Sequence, residues 1–179
     1  MKLRYDLHLH SCLSPCGDMD MTPNNIVGMA KLLGYDIIAL TDHNTCRNTP
    51  AAVQAGERQG LVVVPGMELC TREEAHVVCL FPTAEAALAF GEWVEAHSPN
   101  IPNRPDIFGE QLILDADDQP IGTQENLLIA AADVGVYQVP ELVRQYGGTA
   151  FPAHVDKEAY SITASLGGIP EEIGFTTAE

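Results

Sequence analysis

The chain has 179 residues, of which 46% are hydrophobic and 19% charged, and its formal net charge is −16. These values predict one domain with a core of its own, or an incomplete larger domain. The acidic charge argues against a general nucleic-acid or membrane-surface binder, because the bulk field does not attract phosphate. We therefore expect no nucleic-acid duplex and no membrane among its partners. A small phosphorylated substrate stays compatible, since bound divalent cations would dominate the local charge of a site.

The cysteines and the N-terminus favour a reduced compartment. The five cysteines are an odd number in a composition that is not rich in disulfides. The N-terminus has no secretory apolar segment, and no apolar run is long enough to span a bilayer. We expect a cytoplasmic protein. The sequence leaves its oligomeric state open.

Strands and helices alternate along the first half of the chain. Apolar runs predict strands at residues 4–8, 36–40, 61–65 and 76–81. Helices are expected from Thr22-Pro23 to Gly34, near residues 50–59, and from Thr83 to about His97. A further helix near residues 139–146 and a strand at 149–153 follow. Such alternation predicts a parallel α/β sheet or barrel.

Residues 98–125 interrupt this alternation. Pro99, Pro102 and Pro105 forbid a long helix there. The apolar runs at 111–114 and 119–122, with acidic turn residues between them, predict a hairpin. We interpret the segment as an insertion or lid within a single domain that spans residues 1–179.

Five of the six histidines lie at the ends of predicted strands, together with one carboxylate. They are His8 and His10 in the first strand, His43 after the second, His76 at the start of the fourth and His154 after the last, with Glu68 after the third. The carboxyl ends of parallel strands meet on one face of a sheet, where sites are built. A single histidine of this kind would more often be a core or surface residue, but several in phase with the strands predict a metal site.

The spacing of His8 and His10 supports this prediction. Residues i and i+2 of a strand point to the same side, so both imidazoles can bind one ion while Leu7 and Leu9 pack on the other side. Imidazole and carboxylate ligands suit zinc, iron or manganese. Two or three such cations close together can activate a water molecule and clamp phosphoryl oxygens.

Taken together, these motifs resemble those of the PHP (polymerase and histidinol phosphatase) superfamily. They are Asp6-Leu7-His8-Leu9-His10-Ser11, Thr41-Asp42-His43-Asn44, Pro65-Gly66-Met67-Glu68, His76 and Pro152-Ala153-His154, in the order of the family. The resemblance implies a distorted TIM-like (β/α)7 barrel. It also implies up to three divalent metal ions at the carboxyl ends of the strands, and hydrolysis of phosphoesters.

The resemblance further implies which residues bind the first two metals. His8 and His10 would bind one metal, and Glu68 would bridge it to a second. His76 and His154 would complete the second metal.

The third metal would use His43 and one further ligand, which the family usually supplies a few residues after the His-x-His. Here Cys16 or Asp18 would have to serve, and a thiolate is a good ligand for zinc or iron. A loop cysteine that only packs is an equally weighted alternative for Cys16. Asp42 is better placed to orient an imidazole, although it could also take a proton. We place Asp42, His43 and Glu68 at the catalytic centre.

One family motif, an Asp-x-His near the C-terminus, is missing from this sequence. Its absence implies a truncated or divergent short barrel that binds fewer than three metals. Arg47 and Lys157 follow two of the motifs and are candidates to bind a substrate phosphate, although each could equally be a surface residue. We predict a metal-dependent phosphoesterase that acts on a small metabolite or nucleotide. The alternative is an inactive or non-catalytic metal-binding module.

Overall fold

The computed structural model describes residues 2–179 and has a curled five-stranded sheet, half of a barrel, at its centre. The strands are β1 (Tyr5–Leu9), β2 (Ile37–Leu40), β3 (Val62–Cys70), β4 (His76–Leu80), β5 (Leu112–Leu114), β6 (Pro120–Thr123) and β7 (Thr149–Pro152). The sheet has the order β1-β2-β3-β4-β7, and β5 and β6 form a separate hairpin. The predicted α/β fold with a barrel-like sheet is confirmed.

The direction of β4 differs from the expected parallel sheet. The pairs β1–β2 and β2–β3 are parallel, whereas β3–β4 and β4–β7 are antiparallel. Strands β1, β2, β3 and β7 therefore run one way and β4 runs the other way. The expectation of a parallel strand was wrong at β4 because residues 71–75 are too few for a crossover connection, and a short connection produces a hairpin.

Residues 2–179 contain six α-helices, and all but the shortest of them contribute residues to two hydrophobic clusters with the sheet. They are α1 (Pro23–Leu32), α2 (Thr49–Gln59), α3 (Ala84–Ala96), α4 (Pro105–Phe108), α5 (Val139–Gln145) and α6 (Ile162–Leu166). Val27 of α1 and Ala52 of α2 pack against Ile38 of β2. Phe90 of α3 packs with Leu69 and other residues of β3 and β4 in the second cluster. Among residues 2–179, no helix is both long and apolar enough to cross a membrane.

The predicted hairpin is present as β5 and β6, and polar contacts hold it on the body of the domain. Its turn residue Asp118 accepts hydrogen bonds from Thr22 Oγ1 (2.6 Å) and from the Asn24 backbone nitrogen (3.1 Å) at the start of α1. On β5, the Leu114 backbone nitrogen donates to Asn48 Oδ1 over 2.9 Å. The hairpin thus forms a wall beside α1 and α2, and its interpretation as a lid stays a prediction.

Candidate metal centre

The strand ends bring five histidines and one glutamate to the same edge of the sheet. The histidines are His8 and His10 at the end of β1, His43 after β2, His76 at the start of β4 and His154 after β7. Because β4 is reversed, its first residue lies at the edge where the other strands end. Glu68, near the end of β3, pairs with His43 in a parallel bridge. The reversed strand therefore completes the cluster.

The carboxylate of Glu68 lies at the centre of the five imidazoles, with only 2% of the side chain exposed. Its Oε1 lies 3.1 Å from His8 Nε2, 2.9 Å from His76 Nδ1 and 2.9 Å from His154 Nε2. Its Oε2 lies 3.0 Å from His10 Nε2 and 3.1 Å from His43 Nδ1. All five histidines that the sequence singled out thus converge on one buried carboxylate.

The imidazoles form a closed ring around this carboxylate. Going round the ring, the distances between centroids are 5.2 Å (His8–His10), 4.5 Å (His10–His43), 5.1 Å (His43–His76), 5.3 Å (His76–His154) and 5.7 Å (His154–His8). His43 is a full member of the ring. Protonated imidazoles at this distance repel each other. The ring is therefore stable only around a negative charge, or when the imidazoles are neutral and bind cations.

The protonation of the cluster without metal follows from its burial and its charges. Burial disfavours the protonated form of His10, but hydrogen bonds with Cys16 and Glu68 outweigh it and raise the pKa of His10 to about 10. The pKa of His8 is also raised, because contacts with Glu68 and Glu179 outweigh burial. Burial lowers the pKa of His43 to about 3. Burial alone would raise the pKa of Glu68, but hydrogen bonds from the histidines lower it far below its usual range.

Three overlapping groups of donors could each hold a metal ion. They are His8 with His10 and Glu68, His43 with Glu68 and His76, and His10 with Cys16 and His43. Within each group the ligand atoms lie within 4.8 Å of one another. Imidazole, carboxylate and thiolate donors in such groups suit zinc, iron or manganese.

A buried nitrogen of His43 supports the fit to a metal. His43 Nδ1 lies 3.1 Å from Glu68 Oε2, but the direction of approach is not that of a hydrogen bond, so this nitrogen has no hydrogen-bond partner among residues 2–179. His154 Nδ1 also has none among these residues, but His154 faces Glu68 through its other nitrogen, Nε2. Buried polar atoms without a partner are uncommon and require an explanation such as an ion. The residues present therefore fit bound divalent metal.

The loop after β1 brings Cys16, and not Asp18, to the cluster. Cys16 is exposed and lies with His10 and His43 in one of the three donor groups. The Asp18 carboxylate instead accepts a hydrogen bond from the Asp20 backbone nitrogen within its own loop (3.0 Å). The loop is tight at Gly17, where a Cβ atom would lie 2.0 Å from the Ser11 carbonyl oxygen, so only glycine fits there.

Asp42 contacts hydroxyl groups instead of an imidazole. It is buried, and it accepts hydrogen bonds from the Ser11 backbone nitrogen, Ser11 Oγ and Ser14 Oγ, each over 2.7 Å. Ser14 Oγ in turn lies 3.1 Å from His10 Nδ1. Asp42 therefore reaches the ring through Ser14. Asp6, which begins the motif of the first strand, accepts a hydrogen bond from the His8 backbone nitrogen and not from its ring.

Neither of the two cationic candidates contacts the cluster through an ion pair with Glu68. Arg47 Nη2 forms an ion pair with Glu95 Oε2 over 2.8 Å, on α3. These two residues line a cavity between α3 and the insertion, and none of the ring histidines lines it. Lys157 is exposed on the segment after β7. Binding of a substrate phosphate by either residue stays a prediction.

Four residues beside the ring were not predicted as part of the site. The hydroxyls of Ser11 and Ser14 could have been suspected from their place just after His10. Tyr160 has a positive φ of 57° and stacks on His76 with 5.1 Å between ring centroids. Glu179 Oε2 accepts a hydrogen bond from His8 Nδ1 over 2.7 Å. The last two contacts join distant parts of the chain, so no local pattern indicates them.

Known proteins with related sequences and folds include nucleases and a phosphoesterase. A 5'-3' exoribonuclease of Haemophilus influenzae is 34% identical over 83 residues, which are 45% of this chain and 29% of that protein. The crystal structure of the lesion-specific endonuclease Q of Pyrococcus furiosus matches with a TM-score of 0.67 at 19% identity, over 100% of this chain and 41% of its own. A candidate metal-dependent phosphoesterase of Bifidobacterium adolescentis matches with a TM-score of 0.60 at 19% identity, over 88% and 69% of the two chains.

These likenesses correct one expectation. We expected no nucleic-acid duplex among the partners because of the acidic charge, and this expectation was wrong. Endonuclease Q has the same fold, and its structure is also known in complex with a 27-mer duplex that has an abasic lesion at the active site. The net charge of −16 sums over the whole surface. It does not describe the field of a site that gathers divalent cations, which become the largest local charges.

The family is decided by the extent of the match. The chain spans about half the length, or less, of the curated relatives that it matches. The family model for the PHP domain, in contrast, matches residues 6–164. That stretch contains all five histidines of the ring together with Glu68, at the carboxyl edge of the half-barrel. This chain belongs to the PHP domain family.

Proposed function

We propose that this PHP domain hydrolyses phosphoesters with divalent metal ions held by the histidine ring and Glu68. The observation that carries the proposal is the convergence of five imidazoles on one buried carboxylate, within 3.1 Å of its oxygens. A buried carboxylate is costly unless positive charge offsets it. Protons on His8 and His10 offset it in the metal-free chain, and divalent cations bound by the same groups would replace them.

Each oxygen of Glu68 faces more than one imidazole, so the carboxylate can contact two ions. Oε2 faces His10 and His43, whereas Oε1 faces His8, His76 and His154. We assign Glu68 as the bridging ligand of two ions. His8 and His10, which form one donor group with Glu68, are assigned to the first ion, and His76 and His154, which both face Oε1, to the second. When bound, such ions supply the Lewis acidity that polarises a phosphoryl group and lowers the pKa of water.

The overlap of the donor groups limits how many ions bind tightly. His10 and His43 each belong to two of the three groups, and so does Glu68. A neutral imidazole binds one ion through its one free nitrogen, so His10 and His43 cannot complete all three groups at once. We therefore propose two tightly held ions and a weaker third, to which Cys16 contributes.

The substrate class follows from the metal centre and from the relatives. Two cations near a bridging carboxylate suit the displacement of an oxygen at phosphorus, in a phosphomonoester or a phosphodiester. We propose a phosphorylated small metabolite or nucleotide, and we include short nucleic acids because relatives are named as an exoribonuclease and an endonuclease.

A metal-dependent hydrolysis assay tests this proposal. The chain is stripped of metal with a chelator, titrated with zinc or manganese, and incubated with an aryl phosphomonoester, an aryl phosphodiester and a short single-stranded RNA. We expect release of product that requires metal and is lost in Glu68→Gln. Tight metal binding without turnover on any of the three substrates would instead support the second candidate, an inactive metal-binding module.

One observation favours that second candidate. Of the two cationic residues considered for substrate phosphate, Arg47 is engaged by Glu95, and Lys157 is exposed on the segment after β7. A module that only stores or senses metal requires no such cation, whereas an esterase gains from one. Turnover by the wild-type chain separates the two candidates, and if the chain is active, Lys157→Ala should raise KM only if this residue contacts the substrate.

A further inference from the structure

A continuous chain of hydrogen bonds links the histidine ring to the insertion hairpin. It starts at His10 Nδ1, which lies 3.1 Å from Ser14 Oγ. Ser14 and Ser11 each donate to Asp42 over 2.7 Å. Asn48 Nδ2 then donates to Ser11 Oγ over 3.0 Å, and its amide continues to β5. A ring imidazole is thus joined to a strand of the hairpin through four buried polar side chains.

The first step of this chain fixes the tautomer of His10. Ser14 Oγ has one proton, which it donates to the charged carboxylate of Asp42. It also accepts from the His43 backbone nitrogen over 3.0 Å. With its proton committed, Ser14 can only accept from His10, so His10 Nδ1 must carry the hydrogen. His10 Nε2, on the side of Glu68, is then the nitrogen that gives up its proton when a metal binds.

The outer end of the chain is held by Asn48. This side chain is fully buried and donates to Ser11 Oγ and to the Leu112 carbonyl oxygen, while it accepts from the Leu114 backbone nitrogen. Ser11 Oγ accepts from Asn48 and donates to Asp42, so its orientation depends on both. Each member of the chain is satisfied by its neighbours, and removal of one leaves a buried polar atom unpaired.

We propose that Ser14 and Asn48 are positioning residues of the metal centre, and that the insertion hairpin orients His10 through Asn48, Ser11, Asp42 and Ser14. The proposal deepens the proposed function and rests on metal binding by His10. The insertion thus has a structural role in the site, because β5 holds Asn48 in place and the hydrogen-bond chain from Asn48 orients the imidazole of His10.

The end of the chain beside the ring is tested with Ser14→Ala. Ser98→Ala is the control, because Ser98 also donates one side-chain hydrogen bond, in its case to the Val94 carbonyl oxygen on α3. Zinc affinity is measured by competition with a chelator. The exchange rate of the His10 Nδ1 proton is measured by nuclear magnetic resonance in the zinc-loaded chain. We expect Ser14→Ala to lose about 10–100-fold in affinity and to expose this proton to rapid exchange, and Ser98→Ala to change neither.

The far end is tested with Asn48→Ala against Gln111→Ala. Both are buried amides with three hydrogen bonds, but those of Gln111 go to the backbone of residues 124, 126 and 128 and not to the chain that ends at His10. Both variants should lower thermal stability, and only Asn48→Ala should also weaken zinc binding and speed exchange at His10. Equal zinc affinity in these two variants, or a slow His10 proton in Ser14→Ala, overturns the positioning role while the proposed function stands. A wild-type chain that binds no zinc overturns both.

Discussion

Replacement of Glu68 by glutamine is the most informative single change in this domain. The amide keeps the shape of the side chain but removes its charge and one of the two oxygens that face the ring. If Glu68 bridges two ions, both ions lose a ligand at once. Asp42→Asn is the matched comparison, because Asp42 is also a buried carboxylate but reaches the ring only through Ser14.

The size of the effect can be bounded from these contacts. A change in a group that only supports a ligand costs about 10–100-fold in metal affinity, and we expect this for Asp42→Asn. Glu68→Gln changes a ligand of two ions. Even if each ion lost no more than that amount, the combined loss of affinity for the pair would be about 100–10,000-fold, or roughly 3–6 kcal/mol at 1.4 kcal/mol for each factor of ten.

The assay is metal content after dialysis against a weak chelator, followed by zinc titration. We expect wild type to retain metal, Asp42→Asn to retain part of it and Glu68→Gln to retain almost none. Circular dichroism of the metal-free proteins shows whether each variant is folded. Equal metal retention in two folded variants would refute the bridging role of Glu68.

The remaining predictions concern the third ligand group, the protons and the hairpin. Cys16→Ser should abolish the sulfur-to-metal charge-transfer band of the cobalt-loaded chain, whereas Asp18→Asn should leave it; a band that survives in Cys16→Ser excludes the thiolate. The pKa of His10 is raised from 6.5 to about 10, so its contribution to the stability of the metal-free fold is complete below pH 6.5 and is lost as the pH rises through 10. Zinc must displace this proton to bind His10. Calorimetry of zinc binding in buffers of different ionisation enthalpy should therefore show proton release at neutral pH, and the number of protons released should fall towards pH 10. If no proton is released at neutral pH, His10 is not protonated in the metal-free chain. Asp118→Ala should lower the free energy of unfolding by about 1–3 kcal/mol in urea titrations through loss of its contacts with the start of α1, and an unchanged midpoint would show that these contacts contribute nothing.

The positions of the ring residues were predictable from the sequence because strand ends are a local property. His8 and His10 alternate with leucines, and His43 and His154 each follow an apolar run. The direction of β4 was also predictable, because residues 71–75 leave room only for a turn, although the alternation of strands and helices favoured a parallel sheet. His76 was expected at the site all the same, because its position was read from the strand boundary and not from the direction of the strand.

The contacts that orient the ring were not predictable. Asn48 meets β5 at a separation of 66 residues, and Glu179 meets His8 at a separation of 171 residues. An asparagine before a helix is ordinarily interpreted as a cap, yet the side chain of Asn48 makes no capping hydrogen bond and is used for these distant contacts instead. Partners of buried polar side chains depend on the tertiary fold, so a pattern of local spacing cannot reveal them.

The reversal of β4 also affects the order in which the site can assemble during folding. Glu68 and His76 are only eight positions apart and meet across a single hairpin. His154 is 86 positions from Glu68, so its arrival requires closure of a far longer loop. Contacts of short sequence separation form fastest. We therefore expect the Glu68–His76 pair to form early and to be the first place where a nascent chain can capture an ion, before β1 and β7 deliver their imidazoles.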